Sequence, residues 1–388
     1  MQLTAPAAME STVRPNPPAL NGTTAVSATQ ILNPAQTLRA AITTPASHHP
    51  MNTPDRILEV GFGFWPSKVL LTAVELGVFT TLGARAMTGI ELGRVLELHP
   101  RGIFDFFDTL VALGFLERDG SGPQGKYRNT GSTAQFLDKN QPGYVGGMLE
   151  MLNSRLFGYW NDLGSALKTG KPQNELKHSQ RPMFETLYSD PARLEQFMSA
   201  MRGISAPNFQ ALADKFDFSK YRTLCDVGGA TGLLSTLVAK RHPHLQCTSF
   251  DLPEVEPIAK RWIAKDAMSD RVTTVAGNFL KDALPSSDVI TMGMILHDWN
   301  LEDKKHLVRL AYAALPRGGA LIAVENLIDD ERRTNAFGLM MSLNMLIEFG
   351  DAFDFTGAEF WSWCREAGFS RYEQVHLAGP CSAAVAYK

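Results

Sequence analysis

Apolar residues in the first third of the chain recur every three or four positions, as they do on one face of a helix. Residues 57–82 follow this spacing and are punctuated by Gly77 and Gly83, which predicts a pair of helices. A second amphipathic run covers residues 103–113 and ends at Gly114, a residue suited to the left-handed turn after a helix. We therefore expect the N-terminal part to be mainly helical.

Two further signals complete this region. Thr88 can cap a helix, and Glu91, three residues later, completes a capping box. Residues 115–118 and 126–128, separated by a turn, predict a hairpin. Helices followed by a hairpin predict a winged-helix domain, which we place at residues 51–172.

A winged helix raises the hypothesis of DNA binding. The segment that would contact DNA, residues 101–113, carries three phenylalanines, two aspartates and a single arginine. An apolar helical surface of this kind favours packing against a partner chain. Residues 144–215 continue as helices, in which the large apolar side chains are those of Trp160, Phe184, Tyr188, Phe197 and Met201.

After Tyr221 the pattern changes to short apolar strands that alternate with helices. The strands are predicted at residues 223–229, 246–251, 271–276, 288–296 and 320–327, and the helices at residues 231–241, 254–267 and 302–315. This alternation indicates an α/β fold with a Rossmann-like, doubly wound, mostly parallel sheet. Residues 372–378 and 382–387 predict a closing hairpin that supplies an antiparallel C-terminal strand. We assign this second domain to residues 173–388.

Composition narrows the partners. The formal net charge is -3 over 388 residues, so the chain lacks the basic field that neutralises phosphates, and we expect a small-molecule ligand and no nucleic acid. No uninterrupted apolar run reaches the ~18–20 residues of a membrane span. The four cysteines are far apart in the sequence, which predicts buried, reduced thiols and a cytoplasmic protein.

Residues 1–50 are rich in Ala, Thr, Pro, Ser and Asn and carry few charges. Without a sustained apolar period, this segment is predicted to be a disordered low-complexity tail. Its scarcity of acidic residues also resembles a transit peptide, but two arginines are too few to favour that alternative.

A glycine-rich turn follows the first strand of the second domain. Asp226, Gly228, Gly229 and Gly232 lie where a strand passes into a helix, and such a turn lets a ligand approach the main chain and the helix N-terminus. The Gly-Gly-x-x-Gly spacing differs from the Gly-x-Gly-x-x-Gly of dinucleotide sites. The turn alone fits any adenosine-containing cofactor.

The next two strand ends supply matching groups. Asp251 and Leu252 follow the second strand, where a carboxylate can accept hydrogen bonds from both ribose hydroxyls. Gly277, Asn278 and Phe279 follow the third strand and could bind and flank an adenine. Ligands of open α/β sheets lie beyond the carboxyl ends of the strands, so these residues are expected to face one crevice.

An ordered set of motifs gives the family. The set comprises Leu-Gly-Phe-Leu at residues 113–116, Asp-Val-Gly-Gly at 226–229, His-Asp-Trp at 297–299, Pro-Arg-Gly-Gly at 316–319 and Ala-Gly-Phe at 367–369. Over about residues 55–388 the chain resembles the class I O-methyltransferases, which include caffeic acid, acetylserotonin and microbial natural-product enzymes. The resemblance implies S-adenosyl-L-methionine as cofactor, a small-molecule methyl acceptor and a homodimer formed through the winged-helix domain.

The chemistry of methyl transfer assigns a base. The enzyme must remove a proton from the acceptor as attack proceeds, and His297, at the end of the fourth strand, has an ordinary pKa near working pH. The resemblance implies two acidic residues beside this imidazole, Glu325 and Asp354, although the family usually has glutamate at the second position. It also implies an acceptor pocket lined by large apolar side chains, those of Phe157, Trp160, Met201, Met341, Met345 and Phe349.

Two departures from the family pattern bear on the cofactor site. Asn278 stands where an aspartate is common, and Gly293 and Met294 stand where a basic residue is usual. Three alternatives remain open: a methyltransferase acting on nitrogen or carbon, a winged-helix regulator that senses a nucleotide, and an NAD-dependent dehydrogenase. No metal site is expected.

Overall fold

A computed structural model describes residues 53–175 and 191–388. The predicted disordered tail, together with Phe184 and Tyr188, lies outside these described residues. The helices before the large sheet are α1 (Asp55–Phe62), α2 (Phe64–Glu75), α3 (Val78–Leu82), α4 (Gly89–Val95), α5 (Ile103–Ala112), α6 (Gly131–Phe136), α7 (Gly146–Met151), α8 (Phe157–Tyr159), α9 (Leu163–Thr169) and α10 (Pro191–Lys215).

The N-terminal region contains a small sheet among its helices. Its strands are β1 (Met87–Thr88), β2 (Leu116–Asp119) and β3 (Lys126–Asn129), in the order β1-β3-β2 with antiparallel pairing. The capping box is present, because the Thr88 side chain accepts the Glu91 N–H and the Glu91 carboxylate accepts the Thr88 N–H. The hairpin and the box match the predicted winged-helix pattern, whereas β1 was not predicted.

Residues 57–82, predicted as two helices, belong to three. A short break at Gly63 separates α1 from α2, and Gly77, with φ +72°, separates α2 from α3. The left-handed backbone at Gly77 ends α2 because it cannot continue a right-handed helix. Between α7 and α8 the chain forms a π-helical turn (Leu152–Leu156), and a 3₁₀ turn (Trp160–Asp162) precedes α9.

The C-terminal region is a seven-stranded sheet in the order β6-β5-β4-β7-β8-β10-β9. Its strands are β4 (Thr223–Val227), β5 (Gln246–Asp251), β6 (Val272–Ala276), β7 (Val289–Gly293), β8 (Ala320–Glu325), β9 (Arg371–His376) and β10 (Ser382–Tyr387). The first five are parallel, and β10 pairs antiparallel with both β8 and β9. The predicted fold, with its antiparallel C-terminal strand, is confirmed.

Helices cover both faces of this sheet. They are α11 (Leu233–Arg241), α12 (Glu256–Lys265), α13 (Leu301–Ala314), α14 (Ala336–Phe349) and α15 (Gly357–Ala367). One apolar core joins the sheet to α10, α11 and α12, and a second joins the opposite face to α13 and α15. All four cysteines are buried in these two layers, as predicted.

Three strands end earlier than predicted, two of them directly before a residue with a positive φ. Strand β4 stops at Val227 because Gly228 has φ +70°. Strand β7 stops at Gly293, since Met294 has φ +57° and a 3₁₀ turn follows at Leu296–Asp298. The predicted strand 320–327 ends at Glu325. The carboxyl ends of β4, β5, β7 and β8 therefore carry the turns that form the site.

Candidate active site

The glycine-rich turn leaves no room for side chains. Gly228 adopts φ +70°, and a Cβ atom placed there would lie 2.3 Å from Ile295 Cδ1. A Cβ on Gly229 would lie 2.3 Å from the Ser249 hydroxyl, and Gly232 begins α11 with φ +72°. The turn is held to the next strand, because Gly228 donates its N–H to the Phe250 carbonyl at 2.8 Å. This bare backbone at a helix N-terminus is a cradle that can accept a carboxylate.

Asp226 lies beneath the turn and is buried. Its Oδ1 accepts a hydrogen bond from the Thr291 hydroxyl of β7 at 2.8 Å. Burial raises the pKa of Asp226 to about 7, against the opposing effect of that hydrogen bond. In the described contacts Asp226 thus supports the turn from inside the sheet.

Asp251 closes the turn from the side of β5. Its Oδ2 accepts the Ala230 N–H at 2.8 Å, and its Oδ1 accepts the Leu252 N–H at 2.7 Å. Burial raises the pKa of Asp251 to about 6, while these two backbone hydrogen bonds oppose the rise. A carboxylate has about four acceptor positions, so each oxygen retains capacity for a ligand hydroxyl.

Gly277, Asn278 and Phe279 follow β6 at the same edge. The Asn278 Oδ1 accepts the Leu280 N–H at 2.9 Å, which leaves its amide nitrogen as the group that can donate to a ligand. The Phe279 ring lies 5.8 Å from the Trp299 ring, edge to face. Phe279 therefore connects the third strand end to the His-Asp-Trp turn.

Packing explains why a glycine stands at position 293, where the family pattern has a basic residue nearby. A Cβ at this position would lie 2.8 Å from the Phe209 ring of α10. A side chain at this position would therefore require the Phe209 ring to shift. At this position the strand packs against an aromatic ring, and the partly buried Phe209 is packed against the apolar core on that face of the sheet.

His297 is buried in the 3₁₀ turn after β7, against the end of β8. Its Nδ1 lies 2.6 Å from Glu325 Oε2. The other oxygen of Glu325 accepts the Leu296 N–H at 2.9 Å and the His297 N–H at 3.4 Å. Glu325, itself 1% exposed, thereby fixes both the backbone and the ring orientation of His297.

Asp298 also contacts the imidazole of His297. Asp298 Oδ1 lies 3.2 Å from His297 Nε2, on the opposite side of the ring from Glu325. Burial by itself would lower the pKa of His297, but the negative charges of Glu325 and Asp298 outweigh it and hold the pKa well above its ordinary value. The ring is built to bear a positive charge.

Asp354 joins this group from the segment between α14 and α15. It is 2% exposed, and its carboxylate oxygens have no hydrogen-bond partner among the described residues. One carboxylate oxygen of Asp354, one imidazole nitrogen of His297 and one carboxylate oxygen of Glu325 all lie within 4.8 Å of one another. Burial raises the pKa of Asp354 to about 7, with further raising by Glu325 and Asp298. The following helix α15 is capped by Thr356, whose hydroxyl accepts the Glu359 N–H at 3.1 Å, so Asp354 is not used as its cap.

Three of the residues predicted to line an acceptor pocket lie on α14, a helix that contacts the 3₁₀ turn of His297. Trp160 donates its indole N–H to Asn344 Oδ1 of that helix at 3.0 Å. Met341, Met345 and Phe349 also lie on α14, and Met345 is buried. The half-buried Met201 lies on α10, and the Phe157 ring lies 4.6 Å from Lys68 Nζ of α2.

Several residues of the site were not predicted. Thr291 supports Asp226, Asp298 contacts the imidazole, and Lys304 of α13 is completely buried and interacts electrostatically with four carboxylates around the site. Two of them had a sequence signal: Asp298 belongs to the His-Asp-Trp motif, and Lys304 shares its helical face with the apolar Leu307, Val308 and Ala311. A lysine on the buried face of a helix needs a partner.

Comparison with known proteins gives consistent matches. The O-methyltransferase domain family matches residues 160–370, and the O-methyltransferase dimerisation domain family matches residues 58–139. The chain is 37% identical to the tetracenomycin polyketide synthesis 8-O-methyl transferase TcmO of Streptomyces glaucescens, over 89% of this chain and 99% of the relative. It is 33% identical to the N,N-dimethyltransferase OxyT of Streptomyces rimosus, over 84% and 93%.

A solved structure matches over a similar span. Human N-acetylserotonin methyltransferase, in complex with S-adenosylmethionine, matches with a TM-score of 0.80 and 27% identity. The match covers 87% of this chain and 99% of the human protein.

Proposed function

The chain belongs to the O-methyltransferase family, and from this premise we propose that it methylates a hydroxyl group on an aromatic, polyketide-like small molecule, with His297 as general base. Membership confirms the resemblance indicated by the ordered motifs, the enzyme class and S-adenosylmethionine as cofactor. The acceptor and the role of each residue are the proposal.

The observation that carries the proposal is the His297–Glu325 pair at 2.6 Å, placed at the same sheet edge as the glycine-rich turn. In our assignment the Nδ1–H of His297 donates a hydrogen bond to Glu325, which leaves Nε2 free to take the proton from the substrate hydroxyl. The acceptor hydroxyl then replaces the Asp298 carboxylate in the hydrogen bond with Nε2, while the charge of Asp298 stays near the ring. Glu325 and Asp298 stabilise the imidazolium that results.

Residues at three strand ends fit the cofactor. The cradle at Gly228 and Gly229 would take its carboxylate, Asp251 would accept its ribose hydroxyls, and Asn278 and Phe279 would bind its adenine. S-adenosylmethionine, when bound, supplies an electrophilic methyl group on a sulfonium. Since the Asn278 amide nitrogen can donate, a ring nitrogen of adenine is its natural partner.

Apolar side chains support an aromatic acceptor. Met341 and Met345 share one side of α14 with Asn344, which holds the Trp160 indole. Methionine and tryptophan side chains form favourable contacts with flat apolar rings. TcmO, as its name states, acts in polyketide synthesis, which agrees with this acceptor class.

We also propose a homodimer formed through the N-terminal helices. The segment Asp55–Glu75 has a mean hydropathy of 1.3 in its most apolar window, and only 17% of that window is buried within the chain. Its exposed side chains include Ile57, Val60, Phe64 and Trp65. This one helical segment among the described residues is long and apolar enough to span a membrane, but the dimerisation-domain match over residues 58–139 favours a subunit interface. With that surface covered, we expect a soluble, cytoplasmic protein.

The test compares His297→Ala with His376→Ala, a control on an exposed histidine of β9. Purified enzymes are given S-adenosylmethionine and a panel of phenolic acceptors, and S-adenosylhomocysteine formation is measured. His297→Ala should lose most turnover while binding S-adenosylhomocysteine in calorimetry as the wild type does. Unchanged turnover would remove His297 from the role of base, and product NMR showing methylated nitrogen or carbon would overturn the hydroxyl acceptor.

A further inference from the structure

Lys304 is a buried lysine that the proposed reaction does not use. Its side chain is 0% exposed, although it lies only one turn into α13, directly after the His-Asp-Trp turn. An ammonium group withdrawn from water is costly unless hydrogen bonds and opposite charges compensate for it. The compensating groups therefore indicate why it is there.

The ammonium joins two separate segments of the site. Nζ donates a hydrogen bond to the carbonyl of Trp299, two residues after His297. On its other side Nζ lies 3.5 Å from the centroid of the Phe353 ring, the residue directly before Asp354. A cation over an aromatic face is attracted by the ring electrons. Lys304 thus connects the turn that carries His297 to the segment that carries Asp354.

The same ammonium is surrounded by carboxylates. Glu325 of β8, Asp298 of the 3₁₀ turn, and Asp351 and Asp354 of the segment before α15 all act on it electrostatically. Burial nevertheless prevails and lowers the pKa of Lys304 to about 8. In turn Lys304, together with His297, opposes the rise in the pKa of Asp354.

We propose that Lys304 is a positioning residue for methyl transfer: its ammonium locks the His297 turn against the Asp354 segment and places a positive charge among the carboxylates that surround the imidazole. The proposal rests on the proposed function, because it concerns the availability of His297 as a base. Its sign follows from electrostatics. Removing a nearby positive charge favours the protonated imidazole, so the base becomes available only at higher pH.

The test uses three substitutions at one position. Lys304→Met removes the charge and the hydrogen-bond donor, Lys304→Gln removes the charge but can still donate to the Trp299 carbonyl, and Lys304→Arg keeps the charge. The control is Lys305→Met, since the neighbouring Lys305 pairs with Glu366 of α15 at 2.9 Å and points to a different partner. For each enzyme kcat and KM are measured from pH 5 to pH 10, with S-adenosylhomocysteine binding as the check of folding.

We expect Lys304→Met and Lys304→Gln to move the acidic limb of the kcat profile to higher pH by about one unit, which is about a tenfold loss of rate on the part of that limb below pH 8, where the wild-type lysine carries its charge. Lys304→Arg should keep the limb near its wild-type position, and Lys305→Met should leave it unchanged. KM for S-adenosylmethionine should stay the same throughout. A Lys304→Gln profile that superimposes on the wild type would overturn the proposal.

The outcome is separable from that of the proposed function. His297→Ala is assayed in the same series. If His297→Ala turns over like the wild type, the proposed base is wrong. If His297→Ala is inactive and the Lys304 variants keep the wild-type profile, only the role of Lys304 is lost.

Discussion

Replacing Glu325 by glutamine tests how the protein prepares His297. The amide can still accept the backbone N–H groups of Leu296 and His297, so the turn should keep its shape. Two properties change: the negative charge beside Nδ1 is lost, and an amide nitrogen can now donate to Nδ1. The imidazole would then carry its proton on Nε2, where it could not accept one from the substrate.

The size of the effect follows from the contact distance. Nδ1 and Oε2 are 2.6 Å apart, so the two charge centres are about 4 Å apart, which corresponds to about 4 kcal/mol at an effective dielectric constant of 20. Since Glu325 is 1% exposed, solvent screens this interaction little. We therefore expect kcat at the pH plateau to fall about a thousandfold, and the acidic limb to move to lower pH because the pKa of His297 falls.

Steady-state kinetics from pH 5 to pH 10 measure both changes, with Glu302→Gln, an exposed glutamate of α13, as the control. The direction in which the acidic limb moves is diagnostic. Loss of the negative charge of Glu325 should move it to lower pH, whereas loss of the positive charge of Lys304 should move it to higher pH. A plateau within a factor of three of the wild type, or a limb that does not move, would refute the account of Glu325.

Three further predictions concern stability, the cofactor and assembly. Burial raises the folded-state pKa of Asp226 to about 7, above its ordinary 3.8, so its contribution to stability is present below pH 4 and is lost as the pH rises through 7. Asp226→Asn should therefore stabilise the apoprotein by about 2 kcal/mol at pH 8 and by much less at pH 5. Thermal unfolding at the two pH values measures this difference. Gly228→Ala should weaken S-adenosylhomocysteine binding at least tenfold in calorimetry, because its methyl group would lie 2.3 Å from Ile295 Cδ1; equal affinity would mean that the cradle is not the cofactor site. Replacing Phe64 and Trp65 by serine should shift the protein toward monomer in sedimentation velocity, and an unchanged wild-type dimer would place the interface elsewhere.

The sequence was most informative where a pattern and a topology rule agreed. Apolar strands alternating with helices predicted the parallel sheet, and ligands of such sheets lie at the carboxyl ends of the strands. That rule places the glycine-rich turn, Asp251 and His297 at one edge of the sheet. Asp354 lies outside this sheet edge, so its position beside His297 could be expected only from the family resemblance.

What the sequence could not predict depends on contacts between distant residues. The apolar run after residue 288 continues to residue 296 and predicts a strand of that length, whereas the strand ends at Gly293. Glu325 at the end of the neighbouring strand accepts the N–H groups of Leu296 and His297, which form part of a 3₁₀ turn. The three N-terminal helices were predicted as two, since Gly63 interrupts the run without breaking the apolar period. The Phe353 ring against Lys304 likewise comes from a segment about 50 residues away, which no local pattern shows.

The most direct test of the central claim follows the methyl group itself. Wild-type enzyme and His297→Ala are each incubated with S-adenosylmethionine labelled with ¹³C at the methyl carbon and with a phenolic acceptor, and the product is examined by NMR. The account predicts a labelled methoxy carbon with the wild type and almost none with His297→Ala, although both bind S-adenosylhomocysteine equally. A label on nitrogen or carbon, or equal labelling by the two enzymes, would contradict it.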